Sequence, residues 1–284
     1  MDLCVNKTFL KVAVFKYLLL FVFSISTIAP IVAQGNLLVY PTRIVFDGKK
    51  NIKKVVLTNT GSKKAIYNIS FVEYKMTKNG EMKVILLPEE GLKFASSNLR
   101  FFPRKVILEP YQSQTLKVQL RNTKNLVEGE YRSHLYFRAV EDEGDLQDVS
   151  KKKDTVNISV KLKPIFGISI PCIFRIGENT TVVSLSDLEL KTVNFEERIL
   201  KFNLNRIGNM SIYGDLSINY IDKNNKVLKV GQINGVGVYT PGNLRIIRIK
   251  LKSSKNMNFD EGKLHIVFTK NKSDEILSEA SLKL

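Results

Sequence analysis

The sequence predicts an all-β protein built from two sandwich domains in tandem, and three observations carry that prediction. From Leu37 onward the apolar residues fall into short runs rich in Val, Ile, Tyr and Phe, bounded about every ten residues by Gly, Asn, Pro or Lys-Asn turns. No stretch sustains the spacing of an amphipathic helix. The chain has 284 residues, the length of two ordinary domains at roughly 100–200 residues each. Its 44% hydrophobic and 25% charged content belongs to a globular protein rather than to a disordered or multi-span membrane chain.

The runs of the first block are Leu37 to Phe46, Lys54 to Thr58, Ala65 to Tyr74, Met82 to Leu87, Phe101 to Leu108, Gln114 to Leu120, Tyr131 to Val140 and Val156 to Ile170. Turns are predicted at Asp47-Gly48, Thr60-Gly61 and Asn79-Gly80, where Asn, Asp and Gly supply local side-chain bonds or a left-handed backbone. Seven or so strands in about 140 residues is the count of an immunoglobulin-like sandwich. Gly129-Glu130-Tyr131, entering a strand, matches the tyrosine-corner position of such sandwiches. The connection from Glu141 to Asp154 is nearly all charge, too polar to pack into a core, and is expected to be a long surface loop.

A second block is read at Ile199 to Leu204, Gly214 to Tyr220, Lys226 to Val230, Val236 to Tyr239, Leu244 to Leu251 and Lys263 to Phe268, with a turn at Lys223-Asn224-Asn225. The predicted organisation is a leader over 1–33, a first immunoglobulin-like domain over 34–175 and a second, smaller β-sandwich over 176–284.

The leader rests on Lys7, Lys11 and Lys16 followed by the apolar run Tyr17 to Phe23 and small residues at Ala33-Gln34, the order of a cleaved secretory signal peptide. A single-pass anchor is the alternative, but Ser24, Ser26 and Pro30 interrupt the run short of the roughly 20 residues a spanning helix needs. Cleavage would remove three Lys and one Asp and change the net charge from +17 to +15. Cys4 would leave with the leader, so Cys172 stands alone, without a disulfide, and stability must come from core packing.

Catalysis has little material here. The two histidines, His134 and His265, lie in different domains and read as structural residues on strand faces, neither a ligand set nor a triad. Glu89-Glu90 and the acidic stretch Glu141 to Asp148 lack calcium-loop spacing. Phosphate-cradling and nucleophile-elbow patterns are absent. The expectation is a binding protein, not an enzyme, with no cofactor, no metal and no small-molecule substrate. Export argues against nucleic acid as the partner of its positive charge. The Lys pairs at 49–50, 53–54 and 63–64 sit at predicted turns, where solvated charge is the ordinary reading.

Several segments, taken in order, resemble the periplasmic chaperones of the chaperone-usher pilus pathway, especially divergent branches of that family. V-Y-P-T-R-I-V-F-D-G (Val39 to Gly48) and K-V-V-L-T-N-T-G (Lys54 to Gly61) look like the opening of those proteins. F-F-P-R-K-V-I-L-E-P-Y-Q-S-Q-T-L-K-V (Phe101 to Val118), E-G-E-Y-R-S-H-L-Y-F (Glu128 to Phe137) and I-F-G-I-S-I-P (Ile165 to Pro171) follow the same template. N-R-I-G-N-M-S-I-Y-G-D-L (Asn205 to Leu216) and G-V-G-V-Y-T-P-G (Gly235 to Gly242) resemble the second domain.

The resemblance implies a periplasmic protein that holds incomplete fibre (pilin) subunits by lending them a β-strand and delivers them to an outer-membrane usher. The alternating row Val156, Ile158, Val160 and Leu162 fits the lent strand, although any half-buried strand alternates in the same way. The resemblance also implies a cleft Arg and Lys that anchor the subunit's terminal carboxylate. Arg43 matches the Arg; an ungapped match puts Phe166 at the Lys position, and a three-residue slip puts Lys163 there. The rival from another class is a structural or adhesive tandem-sandwich surface protein, a fibre component or glycan binder, against which the absence of Trp weighs.

Overall fold

The computed structural model describes residues 37–87, 89–140, 165–194, 197–252, 259 and 261–284. The leader over 1–33, the row Val156, Ile158, Val160 and Leu162, and Lys163 lie outside the described residues.

The first half comprises β1 (Leu37–Tyr40), β2 (Ile44–Phe46), β3 (Ile52–Asn59), β4 (Ala65–Val72), β5 (Tyr74–Met76), β6 (Met82–Val84), β7 (Leu99–Phe102), β8 (Lys105–Leu108), β9 (Ser113–Leu120), β10 (Gly129–Val140) and β11 (Gly167–Ile176). Two sheets form a sandwich, in the orders β1-β3-β9-β7 and β2-β11-β10-β4-β8. Their facing side chains include Val55, Leu57, Leu116, Val118, Leu135 and Phe137, all fully buried and all placed by period-two alternation. The predicted turns stand: the Lys49 amide reaches the Asp47 carboxylate, Gly61 N–H donates to the Asn59 side chain, and Gly80 N–H donates to the Thr77 carbonyl. The Tyr131 hydroxyl donates to the Val127 carbonyl at 2.9 Å, closing the tyrosine corner, while its ring stacks on Phe174.

Two runs read as single strands are split between the sheets. Leu37 to Phe46 becomes β1 and β2, and Phe101 to Leu108 spans β7 and β8. Each break falls at a proline, Pro41 or Pro103, which has no N–H for a ladder and so releases the chain to the opposite sheet. The run ending at Ile170 also needs correction. β11 continues through Pro171 to Ile176, pairing antiparallel with β10 (Leu135↔Ile170, Tyr131↔Phe174) and parallel with β2 only at Cys172, Ile173 and Phe174. Beyond it Gly177, at φ +81°, turns the chain toward the second half, a conformation that side-chain-bearing residues resist.

The second half comprises β12 (Val182–Asn194), β13 (Glu197–Ile207), β14 (Ile212–Ile221), β15 (Val227–Val238), β16 (Leu244–Lys250), β17 (Lys263–Lys270) and β18 (Ile276–Lys283). Its sheets run β12-β13-β16 and β15-β14-β17-β18 around a core that includes Phe202, Leu204, Leu216, Ile218, Ile266 and Phe268. Two of these strands, β12 and β18, were not expected from the sequence. In β12 the core-facing residues are Val183 and Leu185 before a bulge and Leu188 and Leu190 after it, with Asp187 at φ +52°. The bulge flips the alternation and hides the strand from a period-two reading. Similarly, Lys226 to Val230 and Val236 to Tyr239 form one strand, β15, rather than two.

The run Met82 to Leu87 is not a strand of the first sandwich. Its β6 pairs only with β5, and this hairpin reaches the second half, where Met76 joins the core and the Lys78 carbonyl accepts the Ile246 amide at 2.7 Å.

Candidate functional site

Along β10 the odd residues Tyr131, Leu135 and Phe137 enter the first core, so Glu130, Arg132 and His134 project from the outer face. Such a face is ordinarily solvated, but these three are buried because the β5–β6 hairpin and the second sandwich cover them. The Arg132 guanidinium donates to the Tyr74 carbonyl (3.2 Å) and to the Thr240 carbonyl (3.5 Å) and lies 4.3 Å from the centre of the Tyr239 ring. His134 meets the Tyr74 ring edge-on at 4.9 Å.

Arg43 stands immediately before β2, at the level of Pro171 and His134. It is half-buried; its Nη1 donates to the Tyr239 hydroxyl at 2.8 Å, and its guanidinium sits 4.3 Å above the Tyr213 ring. Two arginines of the first sandwich therefore meet two tyrosines of the second. Burial pushes the His134 imidazole down to about 3, helped by the charges of Arg132 and Arg43, so the ring is neutral. Burial also lowers Arg132, opposed by the Glu130 carboxylate. Nearby, burial raises the Glu73 carboxyl against hydrogen bonds from Ser133 and Ser96.

A second network fixes the Tyr239 segment. Glu130 accepts two hydrogen bonds from Arg175 (3.0 and 2.9 Å) and one from the Ser211 amide (3.0 Å), and also takes the Ser211 hydroxyl. Ser211 in turn accepts the Thr240 amide at 3.0 Å, tying the residue after Tyr239 to the first sandwich.

Beside Arg43 lies an open sheet edge. Among the described residues, β2 covers β11 only from Cys172 onward, and no strand pairs with Gly167 to Pro171 on that side. The Phe166 carbonyl accepts the Ala139 amide, so alternation turns the N–H and C=O of Gly167 and Ser169 toward the open edge. Phe174, Cys172 and Ile170 are core, Ile168 is half-buried and Phe166 is 46% exposed. One apolar row thus climbs out of the core along an unpaired edge.

Of the residues named from sequence, Arg43 reaches this junction, while Lys163 and the alternating row lie outside the described residues. Sequence reasoning missed Arg132, Tyr213 and Tyr239, and it read His134 as a strand-face residue without its neighbours. The available signal was the polar phase of E-Y-R-S-H. His265 bonds Glu279 in the other sandwich, 3.1 Å away. No group of three metal-ligating side chains occurs among the described residues.

No family model matches the chain, and no curated protein matches it. Solved structures do. A chain of the CsuC-CsuE chaperone-tip adhesion subunit pre-assembly complex, from archaic chaperone-usher Csu pili of Acinetobacter baumannii, is 12% identical with a TM-score of 0.45, over 86% of this chain and 98% of that one. The YadV chaperone is 11% identical with a TM-score of 0.44, over 88% and 100%. The CupB2 chaperone of Pseudomonas aeruginosa is 13% identical with a TM-score of 0.40, over 87% and 100%. The chain is similar to solved pilus chaperones over most of its length.

Proposed function

We propose that this protein is an exported chaperone that caps fibre subunits by lending them the edge of β11 and delivers them to an outer-membrane usher. The observation that carries the reading is the open edge itself: backbone groups at Gly167 and Ser169 that no strand among the described residues pairs, with the apolar row of Ile168 and Phe166 beside them. An unpaired apolar edge is an aggregation hazard unless a partner strand covers it. A guest lacking its own last strand has the complementary defect, and pairing satisfies both through main-chain bonds with side chains filling the guest's groove. Val156, Ile158, Val160 and Leu162 share the even phase of Phe166, Ile168 and Ile170 and are proposed to extend the row. Each aliphatic side chain so covered contributes about 1.5–3 kcal/mol before ordering costs.

Arg43 gives the guest a direction. It stands where β2 stops covering β11, so a guest strand continuing along the same edge ends against it. A guest carboxylate reaches Arg43 only if the guest strand runs parallel to β11, from the Gly167 end toward Cys172. Arg suits that role because its planar fork meets a carboxylate bidentately. On this reading the protein binds and does not catalyse, works in the periplasm, and begins near Gln34 after its leader is cut.

Ser169→Pro tests the edge directly, since it deletes an outward N–H without removing a bond to β10. Co-purification from the periplasm of the native host should show fibre subunits retained by wild type and Ser169→Ala and lost by a folded Ser169→Pro. Equal capture by the proline variant sinks the lent-edge reading.

A further inference from the structure

The structure assigns the second cation of the carboxylate site to Arg132, and we infer that Tyr239 plugs this site until a guest displaces it. The inference rests on the reading of Arg43 as a carboxylate anchor. Arg132 is only 5% exposed, makes no ion pair among the described residues, and leaves its Nη1 buried without a hydrogen-bond partner. A buried guanidinium N–H with nothing to bond is costly, and folds retain such groups where a ligand completes them.

Arg43 likewise makes no ion pair among the described residues and spends its Nη1 on a neutral phenol. The two guanidiniums stand in adjacent rows of one outer sheet face, Arg43 level with Pro171 and Arg132 level with Ile173. Both pack on a single ring, their central carbons 5.4 and 4.3 Å from the centre of Tyr239.

Two adjacent positive charges with no carboxylate in ion-pair contact among the described residues, Glu130 and Glu73 acting on Arg132 only from further off, form a desolvated well for an anion, and a planar carboxylate can satisfy both forks at once. The Tyr239 hydroxyl already supplies one oxygen to Arg43, and its ring lies against Arg132. It therefore holds the place of the ligand's oxygen without the ligand's charge. Swinging Tyr239 aside would free Arg43 Nη1 and open Arg132 in one movement. A lysine from the segment 141–164 is then unnecessary, which fits the apolar Phe166 at the position where the resemblance leads one to look for that lysine.

The test uses the mature protein and a short strand-forming peptide of alternating Val and Thr, made with a free C-terminal carboxylate and with a C-terminal amide. Calorimetry should show the acid bound much more tightly than the amide. Arg132→Gln should weaken the acid by roughly thirtyfold or more, with Arg132→Lys between the two. Tyr239→Phe, which removes the competing hydroxyl and keeps the ring, should tighten the acid several-fold. Melting curves verify that each variant is folded, and Arg132→Lys serves if the Gln variant is not.

If Arg43→Gln loses the acid while both Arg132 variants bind like wild type, Arg132 is not the second cation and the anchor reading survives. Unchanged affinity in Tyr239→Phe defeats the plug. Equal binding of acid and amide by wild type, or binding of neither, overturns the anchor reading itself.

Discussion

Arg43 is shared between the two sandwiches, and its replacement should show both roles. If Arg43 anchors a guest carboxylate as proposed, Arg43→Ala is expected to cost about 2–5 kcal/mol in guest binding, through loss of a charge-assisted contact. It should cost about 1–2 kcal/mol in stability, where one hydrogen bond to Tyr239 and the ring contacts with Tyr213 and Tyr239 disappear. Subunit capture beside a thermal melt measures the two. His134 is a residue of pH. Its folded value, near 3, lies below the ordinary 6.5, so the unfolded chain takes up a proton that the folded chain refuses, and stability is lost as pH falls through that window. Glu73 acts in the opposite sense: its raised carboxyl favours the folded state below 4.5 and gives that benefit up as pH rises through its folded value. Between about pH 7 and pH 5, wild type should therefore lose roughly 2 kcal/mol more than His134→Gln, read from melts at each pH. Cys172 is fully buried and its thiol is pushed up to about 12 by burial, so a thiol reagent should label it only after denaturation.

Among the elements, β11 decides most. Its row passes from core to surface, so the same substitution should have opposite consequences two turns of the pleat apart. Ile170→Asn places an amide in the core and is expected to unfold the protein or prevent its accumulation. On the proposed lent-edge reading, Phe166→Asn should leave the melt unchanged while subunits aggregate for want of capture. Normal capture by Phe166→Asn moves the guest to another edge. How much of this was legible in the sequence follows from how each strand keeps its phase. β3, β9 and β14 alternate without interruption and could be read directly. β12 changes phase at Asp187, and the strands broken at Pro41 and Pro103 change sheets, which a list of apolar positions does not encode. Arg43 was found through its surrounding segment. Arg132 and His134 were not, because alternating polar residues look the same whether water or another part of the chain covers them; Arg132 is covered by Thr240 and Tyr239, about a hundred residues away, and His134 by Tyr74.

For the molecule as a whole, the relation between the sandwiches depends on polar contacts as much as on apolar ones. Glu130 is buried completely and serves Arg175, Ser211 and, through Ser211, Thr240. Glu130→Gln is expected to cost about 3 kcal/mol, at the low end for a buried pair because Arg175 keeps about a third of its side chain in water. It should also loosen Tyr239 over Arg132. A melt unchanged by Glu130→Gln would show that this network is dispensable.

The β5–β6 hairpin adds a matter of timing. Met76 belongs to a core whose other members begin at Leu200, yet it is synthesised with the first sandwich. At usual elongation rates the residues after Ile176 take roughly 5–20 s to follow. During that interval the nascent first sandwich carries an uncovered Met76 and an uncovered row of Glu130, Arg132 and His134. The order of synthesis therefore leaves the first half unfinished until the second arrives, and a truncated chain ending near Ile176 inherits the exposure permanently.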